Sequence, residues 1–534
     1  MLVAVRRSLA ILAVVMMCGA GVAASAESGA QAGPQKILER RCGQCHRSIE
    51  GGGLSRISRE RQTPEGWDMT ITRMRLYHNV EIKPAEQAAL VKYLADNQGL
   101  APSEALPYRY ILERQPWVIE KRPTGTMELC AACHSFARVG LQRRDAGEWL
   151  KLVNFHLGQF PTLEYQSRLR GVQWWKEAST TLPQQLAERF PLESPAWSQW
   201  RNHKSPNLAG KWRVIGHEPG RGDYRGLLTV NRKGPDKYEL RWVLNYGDGR
   251  RAKGAGAAIV YTSYEWRASG KLDGKQIRQV MAVTPDGNAM SGRWYYFDTD
   301  ERGGEMSAVR IESGKSRILA VQPPALRIGA PTRLIVVGEN LKGSVKLGDG
   351  VKVVKVVRHA PDEIVVVAQA ESSANEGPRN VEVGSARGGS MLVVYRKLDA
   401  IRIEPAYAIA RVGDNGGPIP PVVAQFEANG YTNVISGSKA GSHEVSVGVV
   451  PAKWSVAPWD DSAAEMHDVE FAGRMDRNGL FTPAGAGPNP KRKFGTDNTG
   501  NLRVKAAVAD GAKPLSASAH LIVSVQRWDD PPIR

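Results

Sequence analysis

Apolar residues recur at helical spacing along the chain as far as about Pro206, and in short alternating runs beyond it. Residues 36–41 predict a short helix, and Thr63-Pro64-Glu65-Gly66 sets up the next, running past Trp67, Met69, Ile71 and Met74 toward His78. Lys83-Pro84-Ala85-Glu86 starts another, with Ala89, Leu90, Tyr93 and Leu94 along one face. Residues 147–156 echo residues 66–74, which aligns Trp67 with Trp149 and Met74 with His156. After Pro206 the period changes to two. Strands are expected at 211–214, 226–230, 238–244, 259–263, 279–283 and 293–297, with Asp248-Gly249, Asp273-Gly274 and Asp286-Gly287 as hairpin turns. The fold class expected is therefore multidomain. An N-terminal all-α domain at 27–205, in two lobes of about 27–100 and 101–205, is followed by all-β modules. These are an antiparallel β-barrel at 207–313 and two immunoglobulin-like β-sandwiches at 316–398 and 399–528, the latter without the usual cysteine pair.

A chain of 534 residues exceeds what one core serves, which agrees with that division. Arg6 and Arg7, an apolar run over 9–24 and Ala24-Ser25-Ala26 read as a cleavable signal peptide at 1–26. No later stretch is long and apolar enough for a membrane span. Export to the periplasm is the expectation. Of five cysteines, Cys18 falls in the leader, and no disulfide is needed to place the other four.

Those four sit in Cys42-Gly43-Gln44-Cys45-His46 and Cys130-Ala131-Ala132-Cys133-His134. Cys-x-x-Cys-His is the attachment signature of a c-type haem: both thiols add across the porphyrin vinyl groups, and the adjacent histidine ligates iron. Two Cys-x-x-Cys pairs also suit zinc, but a histidine directly follows each pair here. Two covalently bound haem c groups are expected. A sixth ligand must come from a second helix. Trp67 and Met74, like Trp149 and His156, stand seven residues apart and so on one helix face. This assigns His46 and Met74 to the first iron, and His134 and His156 to the second. Met69 and His78 are rivals for Met74, which also suits a core-filling role, and His156 also reads as an ordinary packed histidine. Phe160, Tyr165, Trp174 and Trp175 are expected to pack around the second site.

The net charge of +18, from 72 basic and 54 acidic residues, is scattered, which favours steering of acidic protein partners over nucleic-acid binding. There is no Walker loop, His-Glu-x-x-His, EF-hand loop or Gly-x-Ser-x-Gly elbow, and Gly254-Ala255-Gly256 lies among strands. No catalytic residue is assigned. Two six-coordinate irons pass single electrons, and the methionine-ligated one is expected to have the higher potential.

Two haem signatures, then a barrel, then two sandwiches: in this order the chain resembles the alpha subunit of quinohaemoprotein amine dehydrogenase, across essentially the whole mature sequence. The resemblance implies a periplasmic heterotrimer. A β-propeller subunit and a small quinone-bearing subunit are its other chains, and the soluble acceptor is a blue copper protein or a cytochrome c. The family's one His/Met and one bis-His haem correspond to Met74 and His156 here. Amine oxidation belongs to the quinone subunit, so this chain alone carries electron transfer. A free-standing dihaem electron carrier with β-rich binding modules is the alternative, and a dihaem peroxidase a third reading. Substituting Met74→Ala is expected to abolish the near-infrared methionine-to-iron absorption band of the haem-loaded chain; a band that survives moves the ligand to Met69 or elsewhere.

Overall fold

The structure is a computed structural model that describes residues 33–526, apart from Arg122, Ala132, 161–162, 164–172, 416–418, 436–441 and Ala512. The expected signal peptide with Cys18, and Tyr165, lie outside the described residues.

The N-terminal region builds two lobes on one plan. In the first, the Pro34–Cys42 helix carries the first signature at its end. The Pro64–His78 helix is opened by Thr63, whose hydroxyl accepts the Gly66 N–H, and by Pro64 in the first turn. It closes at Asn79, in the left-handed conformation, whose N–H reaches the Met74 carbonyl. In the second lobe, Asp145 opens the Ala146–Gln159 helix by accepting the Glu148 N–H at 2.8 Å. Four residues past each cap stands a tryptophan, Trp67 or Trp149, only 1% and 2% exposed. Eleven past each cap stand Met74 and His156.

The expected all-α N-terminal domain is not what the chain builds. Strand accounts for 43% and helix for 24% of the structure, and the two lobes are joined by an antiparallel strand pair, Glu60–Gln62 with Gln142–Arg144. The register pairs Arg61 with Arg143, each two residues before its helix cap. Glu-Arg-Gln and Gln-Arg-Arg carry no β-branched or aromatic residue, so nothing in them signals a strand. Tertiary charge pairing holds them extended. Glu104, from the Pro102–Ala105 turn of helix, accepts from both nitrogens of the Arg61 fork at 2.9 Å and from Arg143 at 3.2 Å, all three side chains being buried. The Arg144–Glu60 ion pair lies beside it, also buried.

Beyond residue 210 eight strands, Gly210–Glu218 through Gly303–Arg310, close into a barrel, the last pairing with the first through Ala308 and Val214. Alternate residues point inward and fill it: Trp212, Trp242, Trp266, Trp294, Tyr224 and Tyr246 are fully buried. Gly254 and Gly256 belong to the Arg251–Tyr261 strand, where a Cβ at Gly256 would come within 2.8 Å of the Trp242 ring. Next, two four-stranded sheets share one core around Leu334, Val366 and Val394, and each holds strands non-adjacent in sequence. The last unit packs three sheets around Phe426, Phe481 and Leu521. Within the stretch between Trp454 and Asn501 it includes two short helices and two short strands.

The barrel touches every other unit. Arg267 pairs with Glu65 of the first-lobe helix, and Arg293 donates to the Glu113 and Arg114 carbonyls. Arg225 and Arg213 pair with Glu363 and Asp362, and His217 donates to Glu427 at 2.9 Å in the last unit. Among the described residues no helix is long and apolar enough to cross a membrane.

Burial alone would raise the Glu104 carboxyl, but the Arg61 hydrogen bonds and the charges of Arg61 and Arg143 outweigh it, holding it at about 2. Its stabilisation is therefore present above pH ~4.5 and lost as pH falls toward 2. Glu104→Gln, which leaves two buried guanidinium groups uncompensated, is expected to cost about 3–5 kcal/mol in urea unfolding at neutral pH. The variant's stability should also vary less with pH between ~4.5 and 2 than the parent's.

Candidate cofactor site

In the first lobe Cys42 packs against a core made by Trp67, Ile71, Leu90 and Leu94, while Cys45 is exposed. The fold after the signature is fixed by backbone bonds from Cys45 and His46 N–H to the Cys42 carbonyl, at 3.1 and 2.9 Å. Gly51-Gly52-Gly53, each with positive φ, then turns the chain so that Ser55 comes back beside His46. In the second lobe Cys130 and Ala131 pack against Trp149, Trp174, Val153 and Leu182, and Cys133 is exposed. All four cysteines are free of disulfides. Burial pushes the Cys130 thiol up to about 12, with Cys133 adding, and raises Cys42 likewise, with Cys45 adding.

The histidines separate into two groups. His46 Nδ1 donates to the Ser55 carbonyl at 2.8 Å, His134 Nδ1 to the Ser135 carbonyl at 2.8 Å, and His156 Nδ1 to the Leu152 carbonyl at 2.7 Å. A carbonyl oxygen only accepts, so each of these rings carries a proton on Nδ1, and among the described residues its Nε2 makes no hydrogen bond. His203, His359 and His520 instead engage Nε2, and His217 engages both nitrogens. Burial lowers the proton affinity of His134, and the charges of Arg138 and His156 lower it further. Burial also lowers that of His156, with Arg73 adding. Both rings of the second pair therefore sit in partly dry surroundings.

Of the rival first-site ligands, Met69 Sδ accepts from Arg73 Nη2 at 3.7 Å and His78 is exposed at the helix end. Met74 is half-buried, and among the described residues its sulfur accepts no hydrogen bond. No hydrogen bond joins His46 to Met74. Trp174 is buried, Trp175 packs against the same core, and Phe160 is 44% exposed with its ring 5.3 Å from that of His156.

Glu120 gives no sign of itself in the sequence. It accepts the Phe136 and Ala137 N–H groups, at 2.8 and 3.1 Å, and the hydroxyls of Tyr110 and Ser135, so it ties down the turn that follows His134. Burial raises its carboxyl, but these four donors outweigh it and hold it below the usual range. The carbonyls of Ser55, Ser135 and Leu152 are equally silent in the sequence, since any residue supplies one.

The donor set fits haem. Each lobe offers a thiol pair, a histidine whose Nε2 makes no hydrogen bond and an aromatic wall, and in the second lobe the Trp149 and Trp174 indole N–H groups are buried with no acceptor among the described residues. Among the described residues no three His, Cys, Asp or Glu side chains gather to hold a metal ion, so the two cysteine pairs do not make one zinc site.

Residues 31–197 match the family described as "Quinohemoprotein amine dehydrogenase A, alpha subunit, haem binding". Residues 205–311, 315–396 and 401–533 match that alpha subunit's domains II, III and IV. No curated protein matches in sequence. Solved structures similar to the chain include the following two. A de novo designed fluorescence-activating β-barrel is 25% identical over 19% of this chain and 92% of its own, with a TM-score of 0.17. A SusE-like surface-located polysaccharide-binding protein from Bacteroides thetaiotaomicron is 7% identical over 60% of this chain and 50% of its own, with a TM-score of 0.13.

Glu120→Ala, which strips four donors of their shared acceptor, is expected to destabilise the second lobe by about 1.5–3 kcal/mol. Hydrogen exchange should report the loss around residues 134–140 and leave the Ser55 turn of the first lobe unchanged.

Proposed function

Because the chain belongs to the quinohaemoprotein amine dehydrogenase alpha-subunit family, we propose that it is the electron-transfer subunit of a periplasmic complex. It relays electrons from a quinone on a partner subunit to a soluble acceptor. Two haem c groups are held by thioether bonds, one at Cys42 and Cys45 and one at Cys130 and Cys133. His46 and Met74 ligate one iron, His134 and His156 the other. An alpha subunit implies partner subunits, here a β-propeller chain and a small quinone-bearing chain.

The observation that carries this reading is the shared tautomer of His46, His134 and His156. A histidine that ligates metal donates its other ring nitrogen to a carbonyl or carboxylate, which fixes ring orientation and raises the basicity of Nε2. These three do so through Nδ1, whereas His203 and His359 donate Nε2 to carbonyls and His217 spends both nitrogens on carboxylates. Haem, when bound, supplies a centre that gains and loses single electrons with little rearrangement. The chain's own residues supply the rest. The Ser55, Ser135 and Leu152 carbonyls hold the three rings. Trp67 and Trp149, buried at equivalent positions, exclude water from the helix faces that carry Met74 and His156. The half-buried Cys42 and Cys130 and the exposed Cys45 and Cys133 would hold the two groups covalently. No general base or nucleophile is needed of this chain.

Expression in a host that matures c-type cytochromes tests the assignment. The pair Cys42→Ala and Cys45→Ala should halve covalent haem per chain by pyridine haemochrome assay, and Cys130→Ala with Cys133→Ala should remove the other half. From the native host the chain should co-purify with two further subunits. Recovery as a lone dihaem chain favours the free-standing carrier.

A further inference from the structure

One side chain of the helix that presents Met74 reaches the helix that presents His156. Arg73 leaves the Pro64–His78 helix beside Met74, and its guanidinium sits 5.6 Å from the ring centre of Phe155, the neighbour of His156 on the Ala146–Gln159 helix. Its Nη2 rests 3.7 Å from Met69 Sδ. Among the described residues no carboxylate forms an ion pair with it. The contrast with its neighbours matters. Arg144 lies close by, but its charge is cancelled by Glu60, and Arg61 and Arg143 are met by Glu104. Among the described residues Arg73 is thus a cation on this side of the first-lobe helix with no carboxylate ion-paired to it.

An arginine stays charged at every accessible pH, and a half-buried charge is screened far less than one in solvent. An electron arriving nearby lowers the local charge by one, with no bond made or broken and no proton moved. A fixed cation favours that state over the oxidised one. We propose that Arg73 raises the affinity of the His134/His156 site for an electron, and so narrows the gap between the two redox centres of the chain. This rests on the haem assignment above. The charge acts through space, and Phe155 places it by a cation–π contact.

The test is spectroelectrochemical titration, with soluble mediators and an electrode as the electron source, of the full-length chain carrying its haems. Mass spectrometry comes first: anything but two covalent haems in the parent chain overturns the haem assignment, whatever Arg73 does. With two in place, Arg73→Gln should move one component to lower potential. At a fixed poise its ratio of reduced to oxidised form should fall by roughly tenfold, the scale of one unit charge in a partly screened interior. The moving component should be the one whose potential Met74→Ala leaves alone. Arg73→Lys should restore the parent titration. The proposal is overturned if Arg73→Gln leaves both components in place, or if Arg73→Lys shifts as far as Arg73→Gln, which would assign Arg73 to packing rather than charge.

Discussion

A carboxylate taken out of water must be met on every side, and Glu104 is met by two arginine forks, the Ser194 hydroxyl and the Ala101 N–H. Replacing such a network by apolar residues is often neutral for stability, so its value lies in what it specifies. Here it specifies register. Arg61 and Arg143 face each other across two three-residue strands, and a slip of one residue would turn either guanidinium away from Glu104. Each strand runs straight into a helix cap, Thr63 or Asp145. The placement of the Met74 helix against the His156 helix therefore follows from where three buried charges meet. Arg61 also donates to the Leu192 and Gly99 carbonyls, so the same group anchors the chain leaving the second lobe.

How much of this is legible in the sequence depends on the range of the forces involved. Caps, helix faces and the Trp67/Trp149 and Met74/His156 correspondence are local and periodic, and the residues announce them. The strand pair joining the lobes is not local. Glu60-Arg61-Gln62 reads as polar loop until Arg143 and Glu104 arrive from far along the chain, and an all-α region is the natural but mistaken reading. In the barrel, 238–244 and 279–283 alternate plainly, whereas Gly303–Arg310, the strand that closes it, opens on two glycines and has little apolar signal. The Arg251–Tyr261 strand is masked for a related reason, since Gly254 and Gly256 are there to make room for Trp242. At the candidate site the thiols and histidines are legible because their chemistry has fixed spacing. Glu120 and the three carbonyl acceptors are not, because a brace has no spacing rule.

The two lobes solve one problem with different parts. His46 is oriented by a carbonyl that a glycine loop brings back from nine residues on, His134 by the carbonyl of the very next residue. His156 uses the turn of its own helix. Three unrelated pieces of backbone converge on one protonation state. Around them the lobes differ: Trp67 has an acceptor in the Gln98 carbonyl, whereas among the described residues Trp149 and Trp174 have none. The described part of the second lobe thus holds more unspent hydrogen-bonding capacity next to its cysteines, and Arg73 reaches its Phe155.

The barrel's tryptophans bear on more than its own cohesion. With Trp212, Trp242, Trp266 and Trp294 filling the middle, there is no lumen to carry a passenger, and a solid cylinder resists bending. Its outer wall and rims take ionic contacts from all three neighbouring units. It is thus the part that ties the last unit, held at Glu427, to the first-lobe helix, held at Glu65. A family whose chains join a haem-binding region to three further domains has good use for a part that keeps their spacing when jostled.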